Sequence, residues 1–168
     1  MRQKEKMNKL TEKLMTNSLL RALEPDQVET LSVIATQVRF GPGESIFRQR
    51  EFADGFYLIE QGEVSLEYEL PGKIKIPIQT IGPGELLGLS WLFEPYRWQF
   101  SATAISAVTA NFFRALDIRE QCAQDPKVGY KLMEEVARVL TERLQATRHK
   151  LLVFVERASD NEDARQVG

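Results

Sequence analysis

A chain of 168 residues, 43% apolar and 27% charged, has room for one packed domain and too little length for two of ordinary size. A formal net charge of -2, spread along the chain, leaves no basic footprint for direct nucleic-acid contact. No apolar run approaches the roughly 20 residues that span a bilayer, and MRQKEKMNKLTEK lacks the apolar core of a signal peptide, so a cytoplasmic chain without a membrane partner is expected.

The first segment, MNKLTEKLMTNSLLRAL, carries Leu10, Leu14, Leu19, Leu20 and Leu23 at near-helical spacing and predicts one or two short helices before Pro25. Asp26 and Glu29 have capping-box spacing, which predicts a further helix from Asp26 to about Thr36. Between Val38 and Phe113 glycines and prolines fall at short intervals around alternating segments such as VSLEYEL and KIKIPI. Short strands joined by tight turns indicate an antiparallel sandwich or barrel. Pro71-Gly72 supplies a hairpin turn, with φ fixed by the proline and φ > 0 accepted by the glycine.

Asp125-Pro126 then starts a long helix, a capping acceptor followed by proline at the first helical position. Leu132, Val136, Leu140, Leu144, Leu151 and Val155 carry its apolar stripe to about Glu156. At 1.5 Å per residue such a helix is about 45 Å long, more than one small sheet covers. A symmetric pair between two copies is therefore expected, with Val136, Leu140, Leu144 and Leu151 on the seam. The organisation expected is a helical segment over 1–36, a β-roll over 37–118, helices over 119–157 and a disordered tail over 158–168. The single cysteine, Cys122, and the single histidine, His149, form neither a disulfide nor a soft-metal site; they read as core packing and a solvated helix face.

GPGESIFRQREFADGFYLIEQGEVSLEYE, residues 41–69, resembles the first half of a cyclic-nucleotide-binding domain, the sensor module of catabolite-activator-type regulators and cyclic-AMP-dependent kinase subunits. The resemblance implies an α+β fold: an eight-stranded antiparallel jelly roll with N-terminal helices and a long C-terminal helix, the ligand lying between sheet and helix. It also implies a phosphate cradle, in which a helical turn offers backbone N–H groups, an arginine pairs with the phosphate and a glutamate accepts the ribose hydroxyl. In GPGELLGLSWLFEPYRWQFSATA, Gly82, Pro83, Gly84 and Gly88 match the loop, followed by Leu89, Ser90 and Trp91; Ser101, Ala102 and Thr103 match the far end. The polar pair does not match: the glutamate position falls on Leu89 and the arginine position on Phe100, with Arg97 the only nearby cation.

Three readings stay open. Arg97 replaces the missing arginine from a shifted position and nucleotide binding survives. Alternatively, Trp91, Phe93, Tyr96, Trp98 and Phe100 line a site for a flat or apolar ligand, with Arg97 pairing its carboxylate or phosphate. In the third, the aromatics fill the pocket and leave an interaction module. Gln145 and Thr147 are, by the same resemblance, the lid-helix residues nearest a ligand's base. The helix-turn-helix domain of related transcription factors is not found in these residues, so output is expected to pass to an effector protein. No catalytic constellation and no cofactor motif is present; a small-molecule effector is the open alternative, with cyclic nucleotide disfavoured by the lost pair.

Overall fold

The computed structural model describes residues 20 and 23–166, with side chains through 155. The helices expected before Pro25 therefore lie largely outside the described residues. Two compact units part between Leu132 and Met133.

Helix α1 spans Pro25–Ile34. It begins one residue before the expected Asp26, because proline, with its fixed φ and no N–H to satisfy, suits the first helical position. The cap is also displaced: the Gln27 side chain accepts the Glu24 N–H at 3.1 Å, in place of an Asp26–Glu29 pair. The chain passes without a loop into β1, Ala35–Phe40. Then follow β2 (Ser45–Phe47), β3 (Gly55–Gln61), β4 (Val64–Leu70), β5 (Ile74–Ile81), β6 (Leu86–Leu87), a 3₁₀ turn (Ser90–Leu92), β7 (Ser101–Ala104) and β8 (Val108–Arg114). These strands make two four-stranded antiparallel sheets, ordered β1-β8-β3-β6 and β2-β7-β4-β5, the jelly roll that the resemblance implied.

Aromatic rings join the two sheets. Phe47 of the second sheet lies 6.1 Å from Tyr57 of the first, and Tyr57 lies 4.8 Å from Phe112. Burial pushes the Tyr57 hydroxyl up to about 12, with the Asp54 carboxylate adding to the shift, so it stays protonated at neutral pH. On the opposite face of the first sheet Phe56 stacks on Phe113 at 4.9 Å, and α2 (Ala115–Gln124) packs there with Ile118 buried.

Two copies of one turn hold the roll together. Gly41-Pro42-Gly43-Glu44 and Gly82-Pro83-Gly84-Glu85 each place the third residue at positive φ, 80° in Gly43 and 82° in Gly84, where a Cβ is disfavoured. Each glutamate folds back to accept the N–H of the first glycine, at 2.7 Å for Glu44 and 2.6 Å for Glu85. Gly43 N–H then bonds the Ala104 carbonyl and Gly84 N–H the Ile59 carbonyl, so each turn is tied to a neighbouring strand.

Helix α3 runs Pro126–Gln166. Asp125 caps it, accepting the Lys127 N–H at 3.0 Å, and its other oxygen accepts from Gln27 at 2.8 Å. The Gln27 bond, more than the backbone donors and nearby Lys127, holds the Asp125 carboxyl below its ordinary range. The helix passes the expected end near Glu156, and the backbone of 158–166, expected as a disordered tail, is helical; no proline or glycine occurs there to break it. In the second unit Arg138 pairs with Glu135 and Glu142 at helical spacing. Of the expected seam, Val136 is buried within the single chain, while Leu140, Leu144 and Leu151 are 41%, 64% and 60% exposed.

Candidate functional site

The segment after β6 turns sharply at Gly88, whose φ is 86°. Leu89 precedes the 3₁₀ turn as its N-terminal cap residue, half-buried, where the family resemblance expected a hydrogen-bonding carboxylate. Glu85 does not substitute for it, since its carboxylate is held by Gly82 N–H. A Cβ on Gly88 would sit 2.7 Å from Cζ3 of Trp98. Trp98 is buried and stacks on Phe47 with centroids 3.9 Å apart and planes at 14°, so the indole fills the space against the cradle glycine.

The loop 94–98 is positioned by pairing with residues 50–53. Arg50 N–H bonds Trp98 O at 2.8 Å, Trp98 N–H bonds Glu51 O at 2.9 Å, and Ala53 N–H bonds Tyr96 O at 2.8 Å. Arg97 is exposed, forms a bridge with Phe52, and donates Nη1 to the Arg50 carbonyl at 2.9 Å. Phe100, at the expected arginine position, is half-buried and meets Tyr68 edge-on at 6.2 Å.

At the far end of the cradle the hydroxyl is already engaged. Ser101 is buried; its Oγ donates to Glu69 Oε1 at 2.7 Å and accepts the Gln49 N–H at 2.9 Å. Ala102 is fully buried, in register with Leu66 and Phe47. Thr103 donates to Glu67, which also pairs with Lys75 at 3.0 Å.

Between these elements lies an open depression of about 360 Å³. Of the expected site residues it brings together Ser90, Arg97 and Phe100; Trp98, Phe93, Tyr68 and Gln49 also line it, and Arg50, Glu94, Pro95 and Gln99 complete its wall. Gly88, Leu89, Trp91, Ser101 and Ala102 do not line it. The five aromatics of the segment thus divide: Trp91 and Trp98 are core, Phe93 and Phe100 line the depression together with Trp98, and Tyr96, half-buried, lies outside it under the Arg119 guanidinium. Gln145 and Thr147 lie on α3 in the second unit; both are exposed, and Thr147 Oγ1 donates to the Arg143 carbonyl at 2.9 Å, the back-bond open to any helical threonine.

Sequence reasoning missed two contributions. Gln49 and Tyr68 come from other strands and loops, so their place at the site required the strand order. Arg119 of α2 is the other: Nη2 donates to the Trp91 carbonyl at 2.7 Å, and its guanidinium lies 4.8 Å from the Tyr96 ring and 5.8 Å from the Trp91 ring. No local pattern in the sequence marks it.

A family model described as Cyclic nucleotide-binding domain matches residues 37–125. A CRP-like cAMP-activated global transcriptional regulator of Mycobacterium tuberculosis is 27% identical over 149 residues, covering 88% of this chain and 65% of that protein. The transcriptional activatory protein AadR of Rhodopseudomonas palustris is 35% identical over 98 residues, 58% of this chain and 40% of its own length. The chain therefore spans less than two thirds of either regulator. Among solved structures, the N-terminal domain of a transcriptional regulator from Streptomyces coelicolor A3(2) is 27% identical with a TM-score of 0.66, covering 77% of this chain and 93% of that one. A cyclic nucleotide-binding domain from Methylobacillus flagellatus, 18% identical, shares the fold at a TM-score of 0.75 over 88% of this chain and 83% of its own.

Proposed function

The chain belongs to the cyclic nucleotide-binding domain family, and we propose that it is a non-catalytic regulatory sensor whose ligand is a flat or largely apolar anion and not cAMP or cGMP. The carrying observation is the replacement of the cradle's polar pair by Leu89 and Phe100 beside a depression that is still open, walled by rings and reached by Arg97. Phe93, Trp98 and Phe100 suit an aromatic face, and Arg97 suits a carboxylate or phosphate at its edge. The output passes to an effector protein, and two copies pair through the exposed leucines of α3. The burial of Trp91 and Trp98 favours a second reading in part, a protein-interaction module with no ligand. Among the described residues no helix is long and apolar enough to cross a membrane.

Thermal shift with benzoate, indole-3-acetate and phenyl phosphate at millimolar concentration tests the ligand class. A ligand at one hundred times its Kd adds about 2.7 kcal/mol, which raises the melting temperature of a chain of this size by about 5–10 °C. The expected result is such a rise with at least one anion, reduced by more than half in Arg97→Ala. No rise with any of them supports the ligand-free module, and equal rises in the two proteins would remove Arg97 from the site.

A further inference from the structure

The loop that walls the depression is held at a backbone cost. Tyr96 sits at φ 54°, a left-handed conformation that a side chain with Cβ adopts reluctantly. Trp91, at the centre of the 3₁₀ turn, is buried with its indole Nε1 lacking a hydrogen-bond partner among the described residues, and its ring stacks on Phe56 at 5.6 Å. Both residues are met by one side chain from another element. Arg119 donates to the Trp91 carbonyl, among the carbonyls a short helix leaves unsatisfied at its C-terminal end, and lays its guanidinium over the rings of Tyr96 and Trp91.

We infer that Arg119 is a positioning residue that clamps residues 90–96 to α2, so that the shape of the loop and the placement of that helix change together. A planar guanidinium can donate along its edge while its face covers a ring; a lysine ammonium on a flexible stem cannot do both in one geometry. The clamp is the link through which a ligand in the depression lined by Phe93, Trp98 and Phe100 reaches α2, and through Asp125 the start of α3. That regulatory use rests on the proposed sensor function; the clamp itself does not.

Hydrogen exchange on the ligand-free full chain tests the clamp without reference to any ligand. The reporting amides are Leu92, Phe93 and Tyr96, which bond Leu89, Ser90 and Phe93 carbonyls, together with those of α2. In Arg119→Gln both groups are expected to exchange about tenfold faster, the effect of losing a charged hydrogen bond and a cation–π contact. Amides of β3 paired with β8 should be unchanged, and Arg119→Lys should recover part of the protection in both groups. If Arg119→Gln does not fold, Arg119→Lys against wild type should give the same paired pattern at smaller size. Unchanged loop amides, loosening of α2 without the loop, or acceleration spread evenly over both sheets would overturn the inference.

Discussion

Trp98→Ala is expected to cost about 3–5 kcal/mol, the range for removing a large aromatic from a packed core, and to lower the melting temperature on the order of 10 °C. The indole is 4% exposed, stacks on Phe47 and closes the space beside Gly88, so its loss leaves a void between the sheets that those neighbours fill only in part. A double-mutant cycle with Gly88→Ala makes the prediction specific. In the wild-type background the new Cβ meets the indole at 2.7 Å and must also adopt φ 86°; in the Trp98→Ala background only the backbone penalty is left. The cycle should show that Gly88→Ala costs at least about 1 kcal/mol less when Trp98 is absent. Urea melts measure all four proteins. A Trp98→Ala protein within about 1 kcal/mol of wild type would show that the inner wall of the depression is loosely packed and that the indole is not what closes the cradle.

The second large effect concerns assembly. Leu144 and Leu151 are 64% and 60% exposed in the single chain and lie on the face where a partner helix would bury them. Replacing both with glutamate puts two charges per copy into that seam, each costing several kcal/mol if buried unpaired, so the dimer dissociation constant should rise by more than about a thousandfold. Sedimentation at tens of micromolar should show a dimer for the wild type and a folded monomer for the variant. A wild-type monomer at that concentration would remove the proposed pairing. Leu140 is the natural third member of the seam, whereas Val136, already buried, is not available for it.

An antiparallel sandwich or barrel was legible in the sequence because its turns announce themselves locally, and the jelly roll followed from the family resemblance. Gly-Pro-Gly-Glu encodes a turn in four residues: proline sets φ, glycine accepts the positive value, and the glutamate reaches back to the first N–H. The start of α3 was legible for the same reason, a capping aspartate beside a proline. Its end was not, because polar residues without a breaker neither require nor forbid a helix. The start of α1 was misplaced where two capping patterns overlap within a few residues, and the bond from Glu24 N–H to Gln27 decided between them.

The cradle was legible as a loss and not as a replacement. That Leu89 and Phe100 fall at the polar positions follows from the family resemblance, once its cradle pattern is laid on these residues. Which of the five nearby aromatics are core does not, since Trp98 and Arg97 are neighbours in sequence yet one is buried against Phe47 and the other exposed beside the Arg50 carbonyl. An extended chain sends successive side chains to opposite faces, so the direction each takes depends on the pairing with residues 50–53 that only the fold provides. Arg119 is the extreme case, joined to its loop by no pattern shorter than the path through β7 and β8.

Whether the cradle has lost cyclic nucleotides is decided by titration calorimetry with cAMP and cGMP. Leu89 cannot accept from a ribose hydroxyl, and an unpaired buried hydroxyl costs about 1–3 kcal/mol. Phe100 cannot neutralise a phosphate, which adds a similar or larger loss, and Arg97, committed to the Arg50 carbonyl, restores only part of it. At 1.4 kcal/mol per tenfold, affinity should fall about a hundredfold to ten-thousandfold below that of an intact cradle. No heat of binding is expected for either nucleotide at low micromolar concentration. Micromolar or tighter binding that disappears in Arg97→Ala would refute the loss, and would make the displaced arginine the family's own in a new position.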